Sequence, residues 1–351
     1  MQVTVAALIQ AELDRRAWIQ ADLARVLGWP VQTLSEVMQG KRRIDAGMAL
    51  DVAAVSEVEP HEWLAAQAAQ DLRQARQAPD VTTRRDEITR RAELEDVVPV
   101  RELIKRGVIT ATDPGHQLEE VKALLEVAAI RDDPPYFVSA KRVRDGVPLS
   151  RAQKAWIALA RRRARAIEAP PYDEAAFRLL AQDLPREVRE PRDLEGLPDR
   201  FAGTGVRLVH IPAFPGGRID GVSMELESSP MIALSGRGKR IDRVLFALLH
   251  ESAHVVSGHW STGVLRVHEG GAVGDPEIEA AVNSLAQSWI LPDGLGPGGP
   301  FNAAGIEAIS RRSGVSRAVI IGQLQHMGAI PWASVVARGL PNVEEALMSW
   351  R

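Results

Sequence analysis

The 351-residue chain contains no cysteine. That absence excludes a disulfide scaffold, a cysteine zinc finger, an iron–sulfur cluster and a cysteine nucleophile. Any metal must therefore be held by His, Asp or Glu. An excess of one charge is also lacking, since 43 Lys+Arg stand against 46 Asp+Glu. The chain as a whole is not a polyelectrolyte binder, and a nucleic-acid site must be a local patch. No apolar run approaches the ~18 residues of a membrane-spanning helix. The N-terminal stretch meets Glu12 and Asp14 too soon for a signal peptide. The expected compartment is the cytoplasm, with no membrane partner. What is present, 45% hydrophobic and 25% charged residues, is a globular composition with room for two or three domains of ~150 residues.

Residues 1–75 read as short helices. Val5, Ile9 and Leu13 recur at helical spacing. A helix from about Gln20 to Leu27 closes at Gly28, and Pro30 suits the first turn of a second helix reaching Met38. Lys41, Arg42 and Arg43 follow it. Residues 80–96 carry many charges of both signs and read as a solvated helix face. Helices broken by Pro134-Pro135 and Pro170-Pro171 continue to about 195, with Arg161, Arg162, Arg163 and Arg165 as a second basic cluster, read as a solvated helix end. Near 203 the texture changes. Val206–Pro212 alternates as a strand, and Gly221–Glu227 and Met231–Leu234 read as two more. A helix is predicted from Asp242, as N-cap, to about Gly258. A Gly-rich loop over 263–274, a helix over 276–291 and a linker-like 294–300 follow.

The sharpest chemical signal is His250-Glu251-Ser252-Ala253-His254, an H-E-x-x-H pattern. Residues four apart share a helix face, about 6 Å apart along the axis, so two imidazoles can grip one zinc ion. Glu251 cannot reach the metal from the next position, but it can reach a water bound there and serve as general base. The preceding Val244–Leu249 is wholly apolar and reads as a buried, rigid support. A catalytic zinc takes three protein ligands and leaves one position open. Downstream candidates for the third are His259 and the Glu277/Glu279 pair. His259 lies about 500° around the helix from His254 and faces away, which makes it a surface residue or an outer partner. Glu277 sits near a helix start, where acids are common for dipole reasons. Glu279 lies on a largely apolar helix, where an acid needs a partner. Asn283, one turn on, can accept a hydrogen bond from the outer nitrogen of a ligand histidine.

These pieces resemble a known family. The lead RLVHIPAFPGGRIDGVS, then PMIALSGRGKRIDRVLFALLHESAH, EIEAAVNSLAQSWILP and GVSRAVIIGQLQHMG are similar to the ImmA/IrrE family of zinc metallopeptidases. Matched residue by residue, the resemblance implies zinc on His250, His254 and Glu279, Glu251 as the catalytic base, and Asn283 in the family's Asn place. Val282, Leu285 and Ala247 stand where the family has Ala, Phe and Thr; the ligands are kept. No oxyanion-stabilising residue can be assigned, with His210 and His268 as the candidates.

At the other end, WIQADLARVLGWPVQTLSEVMQGKRRI resembles the XRE-type helix-turn-helix of HigA-like antitoxins and their peptidase-fused relatives. Residues 20–27 form the scaffold helix and 30–38 the recognition helix. The latter presents Gln32 and Thr33 to base edges, with Glu36 a turn on, while Lys41, Arg42 and Arg43 take phosphates. Seven basic residues face ten acidic ones over 1–75, so the basic character is confined to that patch. Such domains read paired half-sites, so a homodimer on a DNA operator is expected. LIKRGVI and PYDEAAFRLLAQDLPREV in the middle also look like peptidase-fused members of this group.

The expected fold is α+β, mostly α. It comprises a helix-turn-helix domain over 1–76, a helical middle over 77–200 and a small zincin-like peptidase with a short sheet over 201–351. The expected function is a DNA-binding transcriptional regulator fused to a zinc metallopeptidase-like domain that cleaves a regulatory protein by Glu-assisted attack of a zinc-bound water. The alternative is an antitoxin-like repressor, with a toxin partner, whose peptidase fold is a non-catalytic sensor or protein-binding module. A decayed enzyme would most easily lose Glu251, and that residue is present. A structural zinc site would be closed by four ligands.

Overall fold

The computed structural model describes residues 3–137, 149–262, 266–268, 275–295 and 301–350. It is mostly helical with one small sheet. Among the described residues no helix is long and apolar enough to cross a membrane. The chain divides into two compact units, Met1–Thr89 and Arg90–Arg351.

The first unit holds α1 (Val5–Arg16), α2 (Gln20–Leu27), α3 (Val31–Met38), α4 (Ala46–Ala53) and α5 (Pro60–Gln77). Its core is Ile9, Leu23, Leu34, Val37, Val52 and Trp63. Gly28, at φ 69°, closes α2 in the left-handed region that glycine enters without strain, and Pro30 stands as N-cap of α3. That short connection joins two helices with the bounds expected from the sequence to within a residue. Asp45 caps α4 by accepting from the Met48 N–H. α6 (Pro79–Val97) runs across the division between the units.

The second unit continues with α7 (Val100–Lys105), α8 (Pro114–Leu125), α9 (Arg151–Arg165), α10 (Glu174–Glu187) and α11 (Leu197–Ala202). Then come β1 (Arg207–His210), β2 (Gly221–Leu226), β3 (Ser229–Leu234), α12 (Ile241–Val256), β4 (Arg266–His268), α13 (Pro276–Ile290), α14 (Ala303–Ser313), α15 (Arg317–His326) and α16 (Glu344–Met348). The sheet order is β1-β3-β2-β4, with β1 parallel to β3 and β2 antiparallel to both its neighbours. Side chains alternate across it. Leu208, Ile232 and Leu234 enter the core built with α10, α12, α13 and α15. Val209, Val222, Met224, Met231 and Ala233 enter a second core with the end of α6, α7, α8 and α9.

The expectation of a separate middle region over 77–200 is therefore corrected. From Arg90 onward it shares one unit with the rest, because α9 is apolar on more than one face. Trp156, Ile157 and Leu159 are all buried, and Trp156 Nε1 donates to the Ile211 carbonyl at 2.8 Å. The sheet is thus covered on both sides. A second correction concerns Asp242. The N-cap of α12 is Arg240, and the buried Asp242 carboxylate pairs with the Arg240 guanidinium at 2.7 Å instead of capping the backbone. The predicted loop over 263–274 contains β4; the rest of it, and 296–300, lie outside the described residues.

Candidate metal centre

Two helices build the site. α12 carries His250, Glu251 and His254, all about 1% exposed. α13 opens after the Asp275 cap and presents Glu279 from its first turn, 5% exposed. The ligand-capable atoms converge. Glu279 Oε2 lies 3.4 Å from His250 Nε2 and Oε1 lies 3.5 Å from His254 Nε2. The two Nε2 atoms are 3.2 Å apart. His250, His254 and Glu279 form a buried triad able to hold a metal ion. Glu277, the weaker sequence candidate, is exposed and points elsewhere.

The outer nitrogens of both rings are occupied. Asn283 Oδ1 lies 3.0 Å from His250 Nδ1, so that nitrogen carries the proton and donates. His254 Nδ1 meets His259 Nδ1 at 3.0 Å. With a metal on the two Nε2 atoms, Asn283 accepts from His250 Nδ1–H and His259 Nδ1 is placed to accept from His254 Nδ1–H. Two imidazole nitrogens and a carboxylate face one another, an arrangement that a cation satisfies. The donor set fits a divalent metal with an open position. His259 reaches His254 because α12 ends at Val256 and a 3₁₀ turn, His259–Thr262, brings the chain back. Of the two roles read for it, surface residue or outer partner, it takes the second.

Electrostatics follow from the burial. Burial presses the Glu279 carboxyl upward, but its hydrogen bonds and charge contact with both histidines hold it far below the usual carboxylate range. Burial drives His254 down to about 4, only partly opposed by Glu279. For His250 the same burial is outweighed by Glu279, Glu251 and Asn283, and it is raised.

Glu251 stands beside the triad rather than in it. Burial pushes its carboxyl up to about 7, partly opposed by His250. Its Oε2 has no hydrogen-bond partner. The side chain fits because β2 begins with a glycine. A Cβ on Gly221 would lie 2.9 Å from both Cγ and Oε1 of Glu251. Ser223, two residues along the same strand face, bears on this carboxyl through its hydroxyl and, with His250, holds it lower than burial alone would. Sequence reasoning missed Gly221, because a strand glycine shows its purpose only when the atom it admits is known.

A cavity of about 290 Å³ adjoins the triad, with Glu279 and Asn283 in its wall. Of the two oxyanion candidates, His210 is not in its wall. His210 is buried against Trp350, with ring centroids 6.4 Å apart, and bonds the backbone of Ser235 and Leu347. It serves the core. His268 ends β4, and its side chain lies outside the described residues.

In the first unit, Gln32 and Thr33 stand on the first turn of α3, and Gln32, Lys41, Arg42 and Arg43 are exposed. Glu36 joins two of these groups, accepting from Gln32 Nε2 and Arg42 Nε at 3.0 Å each. Arg43 pairs with Asp71.

No family model, no curated protein and no solved structure matches the chain. The functional argument therefore rests on the site itself.

Removing the outer partner of His250 has a defined consequence. Asn283→Ala leaves that ring without its acceptor and is expected to weaken divalent-metal binding about 10–100-fold. A competition titration against a chromophoric chelator measures this; an unchanged affinity would show that Asn283 does not orient the ligand.

Proposed function

We propose that the protein is a DNA-binding transcriptional regulator whose second unit is a zinc metallopeptidase acting on a regulatory protein. The observation that carries the reading is the buried His250–His254–Glu279 triad with the buried Glu251 carboxylate beside it. Histidine nitrogen and carboxylate oxygen are zinc ligands, and three of them leave a coordination position open. A bound zinc ion supplies Lewis-acid polarisation of the scissile carbonyl and of the attacking water.

The protein's own residues do the rest. Glu251, unable to ligate, takes a proton from the attacking water as its oxygen bonds to the carbonyl carbon. It returns that proton to the amine nitrogen as the carbon–nitrogen bond breaks. A carboxyl lifted by burial suits both steps, because it accepts and releases a proton near neutral pH. Gly221 leaves it room against β2, and Asn283 and His259 hold the two rings in orientation. The reading is tested by incubating the protein with cell extract and mapping new N-termini by mass spectrometry. New termini that vanish with a chelator support it; an unchanged extract refutes turnover.

The helix pair α2–α3, the exposed Gln32 and the basic run Lys41–Arg43 support operator binding by a dimer through the first unit. Lys41→Ala should weaken binding about equally on every sequence and reduce the salt slope by about 1. Gln32→Ala should instead relax preference at one base pair by about 1–3 kcal/mol. Mobility shifts across a salt series on a selected operator separate the two. Sequence-independent losses for both variants would sink the assignment of α3 to the major groove.

A further inference from the structure

The cavity beside the triad carries charges that its own walls do not balance. Asp220 pairs with Arg237 at 3.1 Å, and Asp242 pairs with Arg240 at 2.7 Å. Glu279 is committed to the two histidines. Arg243 also lines the cavity, is exposed, and has no carboxylate partner among the described residues. Its guanidinium carbon lies 4.8 Å from the centroid of the Trp332 ring, and Trp332 is itself half-exposed. An arginine stacked on an indole is held flat, with its N–H fork turned to whatever occupies the space beside it.

The opposite wall holds a second unsatisfied group. Gln323 of α15 lines the same cavity, is 4% exposed, and its Oε1 has no hydrogen-bond partner. A buried acceptor without a donor calls for a ligand that brings one. The two walls are firmly joined, because a Cβ at Gly322 would lie 2.5 Å from the Asp242 side chain. α12 and α15 thus meet through a bare glycine, and the fork of Arg243 and the amide of Gln323 sit on rigid elements. The volume suits one residue of an extended chain rather than a folded ligand.

We infer that this cavity is a subsite for a carboxylate-bearing residue of an extended peptide, with Arg243 taking the carboxylate and Gln323 Oε1 accepting a main-chain N–H. The inference rests on the peptidase reading for the peptide's path past the triad. The carboxylate could belong to an acidic side chain or to a peptide's C-terminus, and bidentate recognition by arginine serves both.

The test uses full-length, zinc-loaded Glu251→Gln protein and dye-labelled decapeptides of one sequence. The central residue is Glu, Gln or Lys, and the C-terminus is free or amidated. Fluorescence anisotropy should show the amidated Glu peptide, or the free-acid form of the Gln peptide, binding at least tenfold tighter than the amidated Gln peptide. Which of the two gains identifies the source of the carboxylate. Adding Arg243→Ala should erase that ratio, and Arg243→Glu should turn it toward Lys. Adding Gln323→Leu should weaken all peptides alike and keep the ratio. Arg243 is exposed, so circular dichroism and zinc content serve as folding controls. Equal binding of charged and neutral peptides, no binding at all, or a preference that survives Arg243→Ala overturns the subsite. Wild-type protein with the same peptides separates the two claims. Cleavage without charge preference overturns the subsite and leaves the peptidase. A preference set by Arg243 without cleavage sustains the subsite and removes the peptidase.

Discussion

Glu251→Gln should abolish peptide hydrolysis while zinc stays bound. The expected loss is at least about 10²-fold and up to about 10⁴-fold, the range supplied by a positioned acid–base group. The amide has the shape of the carboxylate, so it keeps the contact that Gly221 allows. It cannot take a proton from water. The metal should remain because Glu251 is not in the triad. Wild-type activity should rise with pH through the value at which Glu251 ionises. Burial sets that value at about 7, and a bound cation lowers it by favouring the charged form. The acid limb of kcat/KM should therefore fall at or below about 7, and the variant should lack it. Comparing cellular N-termini in strains expressing wild type and Glu251→Gln gives the same answer for native substrates. Equal cleavage by the two proteins would exclude Glu251 as base. Loss of zinc from the variant would mean that the glutamate supports the metal instead.

The parts of this site that were legible in the sequence are those governed by local geometry. The spacing of His250 and His254 places both on one helix face whatever surrounds them. Glu279 could be preferred over Glu277 because an acid on an apolar helix needs a partner, and the structure supplies two. Three of the four strands could be found because turn residues bound them, while β4, only three residues long, was read as loop. What stayed hidden depends on chain segments distant in sequence. Nothing local says that Val209 and Met231 face α9, so the second core under the sheet was read as a middle region. The partner of Asp242 is another case. A helix-start aspartate reads as a cap, and only the observed pairing with Arg240 shows it turned aside. His259 stayed open between a surface residue and an outer partner, and the 3₁₀ turn after α12 makes it the partner of His254. The unpartnered Gln323 is visible only once α15 is packed against α12.

Glu279→Ala should cost the site its metal. Of the three ligands it is the sole anion, and it is the group that touches both Nε2 atoms. Without it two buried imidazole nitrogens lie 3.2 Å apart with no carboxylate to hold a cation between them. The loss of affinity should exceed the roughly 10–100-fold expected of an outer partner such as Asn283. Elemental analysis of protein purified without chelator or a histidine tag should find about one zinc per chain in wild type and little in the variant. The same ligation should register in stability, because a metal that binds only the folded state adds about 2.7 kcal/mol at a hundredfold excess over its Kd. For a unit of this size that is a rise in Tm of about 5 °C or more, absent in Glu279→Ala. Removal of a mere ion-pairing acid would behave differently: the variant would shift in Tm yet bind zinc as wild type does. No metal in wild type even after zinc is added back would remove the peptidase reading, leaving the triad held together by protons alone.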